Sequence, residues 1–270
     1  HAGEGIEEIK ADNNLVMSQE PGMGVNYIYF NMENGPTADI KVRKALQMAV
    51  DRDAMCAALY QYGECSPAYL PLPPASWGYD ESLEDLVPKY DVEGAKKLLA
   101  EAGYPEGFEL EYYTSDSASS KKIGEILQQF CAKVNVKVNI HQASWGTFSE
   151  IGASGNADAI GMSWTWFPDP YFYLNKMFHE ESLGTLGNGQ QFNIPEVNEL
   201  LDKAVEVSDQ EERAKLYKEA LKLIVEQYPQ IDYCLANINT GLNKKVQNYV
   251  VRPDKTIEIA GDGHNVWLAK

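Results

Sequence analysis

The sequence predicts an α/β fold with a mixed sheet flanked by helices, and two observations carry that expectation. Stretches of strand length and composition ("NYIYFN" at 26–31, "FELEYYT" at 108–114, "DAIGMSW" at 158–164, "IDYCLAN" at 231–237) alternate with segments whose apolar residues recur at helical spacing. Residues 108–141 also read as strand, helix, strand, with a connection long enough for a crossover helix, so their two strands are expected to lie parallel.

In chain order, "NGP" at 34–36 breaks the first strand. From Asp39, a plausible cap, Val42, Ala45, Leu46, Ala49 and Val50 form one helical face. A short helix follows Asp51, which caps it, and Arg52 is expected to pair nearby. "SPAYLPLPPASWGYD" at 66–80 is a loop, because proline neither donates to a ladder nor fits inside a helix. "DVEGAKKLLAEAG" places Ala95, Leu98, Leu99 and Ala102 on one face and stops at Gly103. Ile123, Ile126, Leu127, Phe130 and Cys131 mark a helix over 119–134, and Val134, Val136, Val138 and Ile140 then alternate as a half-buried strand. Two amphipathic helices occupy 195–207 and 209–228, with a capping-box pattern at Ser208 and Glu211 and a stop at Pro229. Residues 240–270 carry only scattered apolar positions.

At 270 residues, 44% hydrophobic and 23% charged, the chain is large enough for one large core or two modest ones. No apolar run approaches the roughly 20 residues of a membrane span. A formal charge of −17 with no Lys/Arg stripe excludes nucleic acid and disfavours anionic membrane surfaces. Cys131 and Cys234 lie in apolar patterns and read as buried thiols, whereas Cys56 and Cys65 are close enough in sequence to bond if the compartment oxidises.

Local motifs for chemistry are sparse. Neither phosphate-binding glycine pattern occurs, nor G-x-S-x-G. His1, His141, His179 and His264 are far apart, and the three adjacent residues of "HEE" at 179–181 do not converge on one metal, so no metal or cofactor is expected. Asp158 and Asp169 flank the tryptophan-rich stretch and offer a carboxylate pair for an alternative reading, a carbohydrate-active enzyme. The strongest local signal is "SWTWFPDPYFYL" at 163–174. As a strand, 158–166 puts Ile160, Met162, Trp164 and Trp166 on one face and Gly161, Ser163 and Thr165 on the other. Pro168 and Pro170 end it, and Asp169 can cap a helix starting near Tyr171. Tryptophans at the carboxyl end of a strand lie where open α/β sheets bind ligands, and a flat apolar wall suits a small-molecule cleft.

Five motifs, in order along about 210 residues, carry a resemblance: "NYIYFNMENGPTADIKVRKALQMAVDRDAM", "DVEGAKKLLAEAGYPEGFEL", "VNVKVNIHQASWGTF", "WTWFPDP" and "DQEERAKLYKEALKLIVEQYPQI". Together they resemble the extracytoplasmic solute-binding proteins of ABC importers, in the peptide/nickel-binding branch called family 5. The resemblance implies a periplasmic-binding-protein-like (type II) fold and a non-enzymatic receptor that holds its solute between two lobes. It implies that this chain, which opens on His1 without a methionine, is the carboxy-terminal lobe. Residues 1–25 then connect from an amino-terminal lobe, 26–235 form the ligand-binding lobe, and 236–270 return toward the other lobe. The implied partners are that amino-terminal lobe, an ABC permease and a small-molecule or peptide solute, with an oligopeptide or dipeptide first and an oligosaccharide or metal complex as the alternative. The implied location is extracytoplasmic, either periplasmic or membrane-anchored on the outer side as a lipoprotein. Within this frame Trp164 and Trp166 form the aromatic wall, Tyr171 supplies a polar rim, Trp145 lines the cleft, and Asp169 completes the candidate set. One departure is plain: peptide-binding members resemble W-x-x-D-x-x-D-P, and counting back from Asp169 this chain has Trp166 where the first aspartate falls.

Overall fold

The computed structural model describes residues 2–255, 257, 259–261 and 264–269; His1, named above, lies outside them. Its centre is a six-stranded sheet in the order β2-β6-β1-β5-β3-β4. The strands are β1 (Leu15–Phe30), β2 (Cys65–Pro67), β3 (Phe108–Ser115), β4 (Val136–Ala143), β5 (Ala159–Thr165) and β6 (Gln230–Asn243). β3 runs parallel to β4 and to β5, while β1 runs antiparallel to β5 and β6, and β2 antiparallel to β6, so the sheet is mixed as expected.

Both faces of the sheet are covered, which explains why "NYIYFN" reads as a near-continuous apolar run. Val25, Tyr27 and Tyr29 of β1 enter one core, and Ile28 and Phe30 enter the other. The first core packs under α8 (Pro195–Glu206), α9 (Gln210–Glu226) and the proline-rich loop, through Leu201, Leu221, Ile224, Leu70 and Leu72. The second lies under α2 (Ile40–Ala49), α3 (Arg52–Leu59), α4 (Val92–Glu101) and α5 (Ala118–Ala132), through Leu46, Met55, Leu99 and Leu127. α6 (Trp145–Ser154) returns from β4 to β5 on the first face, where Phe148 is buried. α5 and α6 thus cross on opposite faces, and the strand order reverses at β3.

The caps follow the sequence where the side chain has a free donor to reach. Asp39 accepts from Lys41 N, Asp51 from Ala54 N and Asp91 from Gly94 N, and Gly103 takes the left-handed conformation (φ 93°) past α4. The α9 cap is Asp209, accepting from Glu212 N at 2.9 Å, one residue later than the Ser208–Glu211 pattern expected above. Asp ranks with Ser as a cap, and both spacings fit the chain, so only the backbone turn decides.

Two elements were not legible. α1 (Ala2–Ala11) precedes β1, and β1 begins at Leu15 rather than near Asn26. Residues 15–25 contain Pro21, Gly22 and Gly24, which mask the strand pattern. The register with β6 shifts between Pro21 and Val25, and a Cβ on Gly22 would stand 2.6 Å from the Ala236 carbonyl oxygen, so the irregular pairing needs its glycine. The boundaries expected at 25/26 and 235/236 fall inside β1 and β6, which pair from Leu15↔Asn243 to Tyr29↔Gln230.

Candidate functional site

β5 delivers the aromatic segment. It ends at Thr165, and the chain then passes through Pro168 and Pro170 into a 3₁₀ turn (Pro170–Phe172) and α7 (Leu174–Phe178). Four anchors fix this turn. Asp169 accepts from Tyr171 N at 2.9 Å and pairs with Arg213 of α9 at 3.2 Å. Ser76 Oγ donates to the Pro168 carbonyl at 2.6 Å. Tyr173 OH accepts from Trp166 N at 3.1 Å and donates to the Met23 carbonyl at 2.6 Å. Trp164 Nε1 donates to the Phe172 carbonyl at 2.8 Å. Arg213 is itself held between the rings of Trp77 and Tyr217, 5.0 and 5.7 Å from their centroids.

On this anchored turn the rings form one cluster. Trp166 stacks on Phe172 (5.7 Å, 20°), Trp164 lies 6.4 Å from Trp166, and Phe167 and Tyr171 meet Phe172 edge-on at 5.5 Å. Phe167 and Trp166 nonetheless remain 60% and 46% exposed, so the cluster presents an apolar ring surface to solvent.

A crevice of about 290 Å³, which shares no lining residue with the ring cluster, lies at the carboxyl ends of β3 and β5, where the strand order reverses between the amino ends of α5 and α6. This is the place at which open α/β sheets hold ligands. Its wall is polar but uncharged: Asn26, Tyr60, Tyr112, Thr114, Ser115, Ser119, Ser120, Ser163 and Tyr233 line it, together with Trp145, Phe148 and Met162. Tyr112 is fully buried, and its phenol is pushed up by that burial. Another cavity, about 340 Å³ and lined by Asp51, Asp53, Glu84 and Lys89, sits by the start of α3 away from these strand ends. Asp51 there caps α3, Asp53 accepts from Tyr69 OH, and Glu84 accepts from Tyr79 OH, so three of its acids already have structural partners.

Residues 2–184 match the family described as bacterial extracellular solute-binding proteins, family 5 (middle). The chain belongs to this family. It is 34% identical over 254 residues to heme-binding protein A of Haemophilus influenzae, covering 92% of this chain and 46% of that protein. To the dipeptide-binding protein of Escherichia coli it is 30% identical, covering 92% and 47%. The solved structure of HbpA2 from Haemophilus parasuis superposes with a TM-score of 0.91 at 29% identity, covering 99% of this chain and 52% of that one. DppA from Helicobacter pylori, solved with the peptide STSA, gives 0.80 at 26%, covering 99% and 51%. The chain spans about half the length of the curated relatives it matches.

In this family 5 chain the residues singled out from the sequence fall into three places. Trp164, Trp166 and Tyr171 come together in the aromatic cluster, with Lys176 Nζ 5.1 Å from the Tyr171 ring centre. Trp145 stands apart at the crevice, 62% exposed and 5.6 Å from Phe148. Asp169 is drawn back into its pair with Arg213. Asp158 precedes β5 and Asp169 follows its far end, so the seven-residue strand, at about 3.3 Å per residue, holds them roughly 20 Å apart. Burial raises the Asp158 carboxyl, yet it accepts from Glu111 N at 2.9 Å at the wrong end of the strand. The carboxylate pair of the enzyme reading therefore shares no site, and that reading is corrected. His179 is buried, with Nδ1 accepting from Glu181 N at 3.2 Å and Nε2 3.1 Å from Asp202, and among the described residues no His/Cys/Asp/Glu group is arranged for a metal.

Sequence reasoning missed the hydroxyl-lined crevice. Its residues come from β1, β3, α5, α6, β5, β6 and Tyr60 at the end of α3, and the one advance signal was "TSDSASS" at 114–120, at the end of an expected strand.

Proposed function

We propose that this chain is the ligand-binding lobe of the substrate-binding component of an ABC importer, taking a peptide-class solute. The solute is captured in a cleft between this lobe and an amino-terminal lobe, the lobes close by a hinge, and the complex is delivered to a membrane permease. The observation that carries the reading is the uncharged crevice at the reversal of strand order, with the exposed, anchored Trp166–Phe172 wall on the turn that follows the same strand β5. β1 and β6 run as paired ribbons across residues 15–25 and 237–243, and they are the natural connections to the second lobe. An extracytoplasmic setting, periplasmic or anchored on the outer membrane side, follows from the family description, and among the described residues no helix is long and apolar enough to cross a membrane.

The rings supply flat apolar contact, and the hydroxyls satisfy the polar backbone of an extended solute without selecting its sequence. The test is a thermal-shift titration of the full-length protein with dipeptides and short oligopeptides, repeated with Trp166→Ala. Binding raises the midpoint by mass action, about 2.7 kcal/mol of stabilisation at a hundredfold excess over Kd. A peptide-dependent shift that weakens at least tenfold in apparent affinity in the variant supports the reading. No shift with any peptide, alongside a shift with oligosaccharides or metal complexes, moves the solute to those classes.

A further inference from the structure

The aromatic wall stands on a segment with little local reason to hold one shape. Residues 165–173 contain two prolines, a three-residue turn and one local cap, the Asp169 carboxylate on Tyr171 N. Exposed rings gain by folding onto apolar surface, so keeping Trp166 and Phe167 outward requires a frame from elsewhere in the chain. Arg213 supplies one side of that frame. It sits in the first turn of α9, where the helix dipole disfavours a cation, so its place is explained by what its side chain reaches. Nη2 lies 3.3 and 3.2 Å from the two Asp169 oxygens, and Nε donates to the Ala204 carbonyl, in the last turn of α8, at 3.0 Å. The guanidinium also packs on the Trp77 and Tyr217 rings. The proline-rich loop supplies the other side: Ser76 holds the Pro168 carbonyl, and a Cβ on Gly78 would stand 2.5 Å from Pro170 Cγ. Trp77 lies between these two contacts in sequence, so loop, turn and α9 meet at one guanidinium.

We propose that Arg213 is a positioning residue for solute capture, acting through Asp169 to hold the Trp166–Phe172 face in its binding orientation. The proposal rests on the solute-binding reading above and gives Arg213 no contact with the solute. A guanidinium serves here because its planar fork pairs with the carboxylate, reaches the end of α8 and stacks on two rings at once. A lysine ammonium, a point charge on a flexible stem, meets the carboxylate alone. The bond from Trp164 runs within the segment itself, and Ser76 belongs to the loop whose Trp77 the guanidinium braces, so the Asp169 pair is what ties the turn to α9. Without that pair Asp169 still caps Tyr171 N, and the turn forms with its tilt toward α9 unset. A wall correctly placed about a tenth of the time lowers the apparent affinity about tenfold. Asp169 thus serves the wall from behind and does not face the solute.

The test labels the full-length protein with fluorotryptophan and follows its fluorine NMR resonances in the absence of solute. Trp166 is assigned by the resonance lost in Trp166→Phe, and Trp267, which pairs with Gln247 in a separate two-stranded sheet, is the internal reference. In Arg213→Gln the Trp166 resonance is expected to shift or broaden while that of Trp267 stays. The apparent affinity for a peptide that the wild type binds, measured by isothermal titration, falls about tenfold in the same variant. Arg213→Lys restores neither readout. Asp169→Asn, which keeps a capping side chain, reproduces both, and adding it to Arg213→Gln changes the affinity by no more than about twofold, as for two residues acting as one pair. An unchanged Trp166 resonance in Arg213→Gln overturns the proposal, and a loss of affinity alongside it would mean that Arg213 touches the solute itself. Additive losses in the double variant overturn it as well. Should Arg213→Gln not fold, the same two readouts in Asp169→Asn decide. A wild type that binds no peptide overturns the solute-binding reading and leaves the resonances to decide whether Arg213 holds the wall.

Discussion

The start of α3 and the turn after β5 invert each other. At the first, charged and amide side chains are inside: Arg52, Gln47, Gln230 and Asp232 are all at most 5% exposed. Arg52 Nε donates to the Asp232 carbonyl at 2.9 Å and its Nη2 to Gln47 Oε1 at 3.1 Å, while Gln230 Nε2 donates to Asp232 Oδ1 at 2.6 Å. At the second, indole and phenyl rings are outside, on a backbone tied down by Asp169, Ser76 and Tyr173. Buried polar groups need their partners, so the first region is a device for determining the fold. Exposed rings on a fixed frame gain nothing from folding and are available to a ligand. The prediction from this contrast is that stability and solute affinity separate between the two regions.

The largest effect tests the polar side. Arg52→Met is expected to cost about 3 to 5 kcal/mol in urea unfolding, because it strands the Gln47 and Asp232 acceptors in the interior. Trp166→Ala, by contrast, is expected to cost under about 1 kcal/mol of stability, as for a partly exposed surface position, while it weakens solute binding. Equal destabilisation by the two variants would erase the distinction.

A second effect of similar origin is read with pH. Burial pushes the Asp232 carboxyl up to about 7, against the pull of Gln230 and Arg52. The folded state therefore holds a proton that the unfolded chain releases near its ordinary carboxylate pKa of about 4. The contribution is fully present below pH 4 and is lost as the pH rises toward 7, on the order of 4 kcal/mol for a three-unit shift. Other acids titrate in the same window, so the quantity to measure is the wild-type stability minus that of Asp232→Asn between pH 4 and 8. A flat difference would mean that Asp232 stays ionised beside Arg52.

The same contrast explains what the sequence disclosed. The parallel β3–α5–β4 unit was legible because its apolar spacing is local, and the aromatic wall was legible because its rings are contiguous from Trp164 to Tyr173. The crevice was not, since beyond the β3–α5 junction its wall is assembled from residues far apart in the chain, Asn26, Tyr60, Trp145, Ser163 and Tyr233, which share no period. The first half of β1 was hidden for another reason: Pro21, Gly22 and Gly24 serve an irregular pairing with β6 and argue locally against a strand.

The smallest expected effect is also the most specific. A peptide-binding site that pairs a carboxylate with the solute's ammonium gains about 1.5 to 3 kcal/mol from that contact, roughly 10- to 150-fold in affinity. In this chain the residue three before Asp169 is Trp166, the carboxylate of Asp169 is engaged by Arg213, and the crevice lining contains no Asp, Glu, Lys, Arg or His. Acetylating the amino terminus of a bound peptide removes the charge and adds a small apolar group, which under the proposed function meets the Trp166–Phe172 face. The affinity of the full-length protein for the acetylated peptide, measured by isothermal titration, is therefore expected to stay within about threefold of the free-amine form, under about 1 kcal/mol. A loss of tenfold or more would show that an acid meets the ammonium from outside this lobe. The aromatic wall would then be contact surface without a say in which end of the solute it receives.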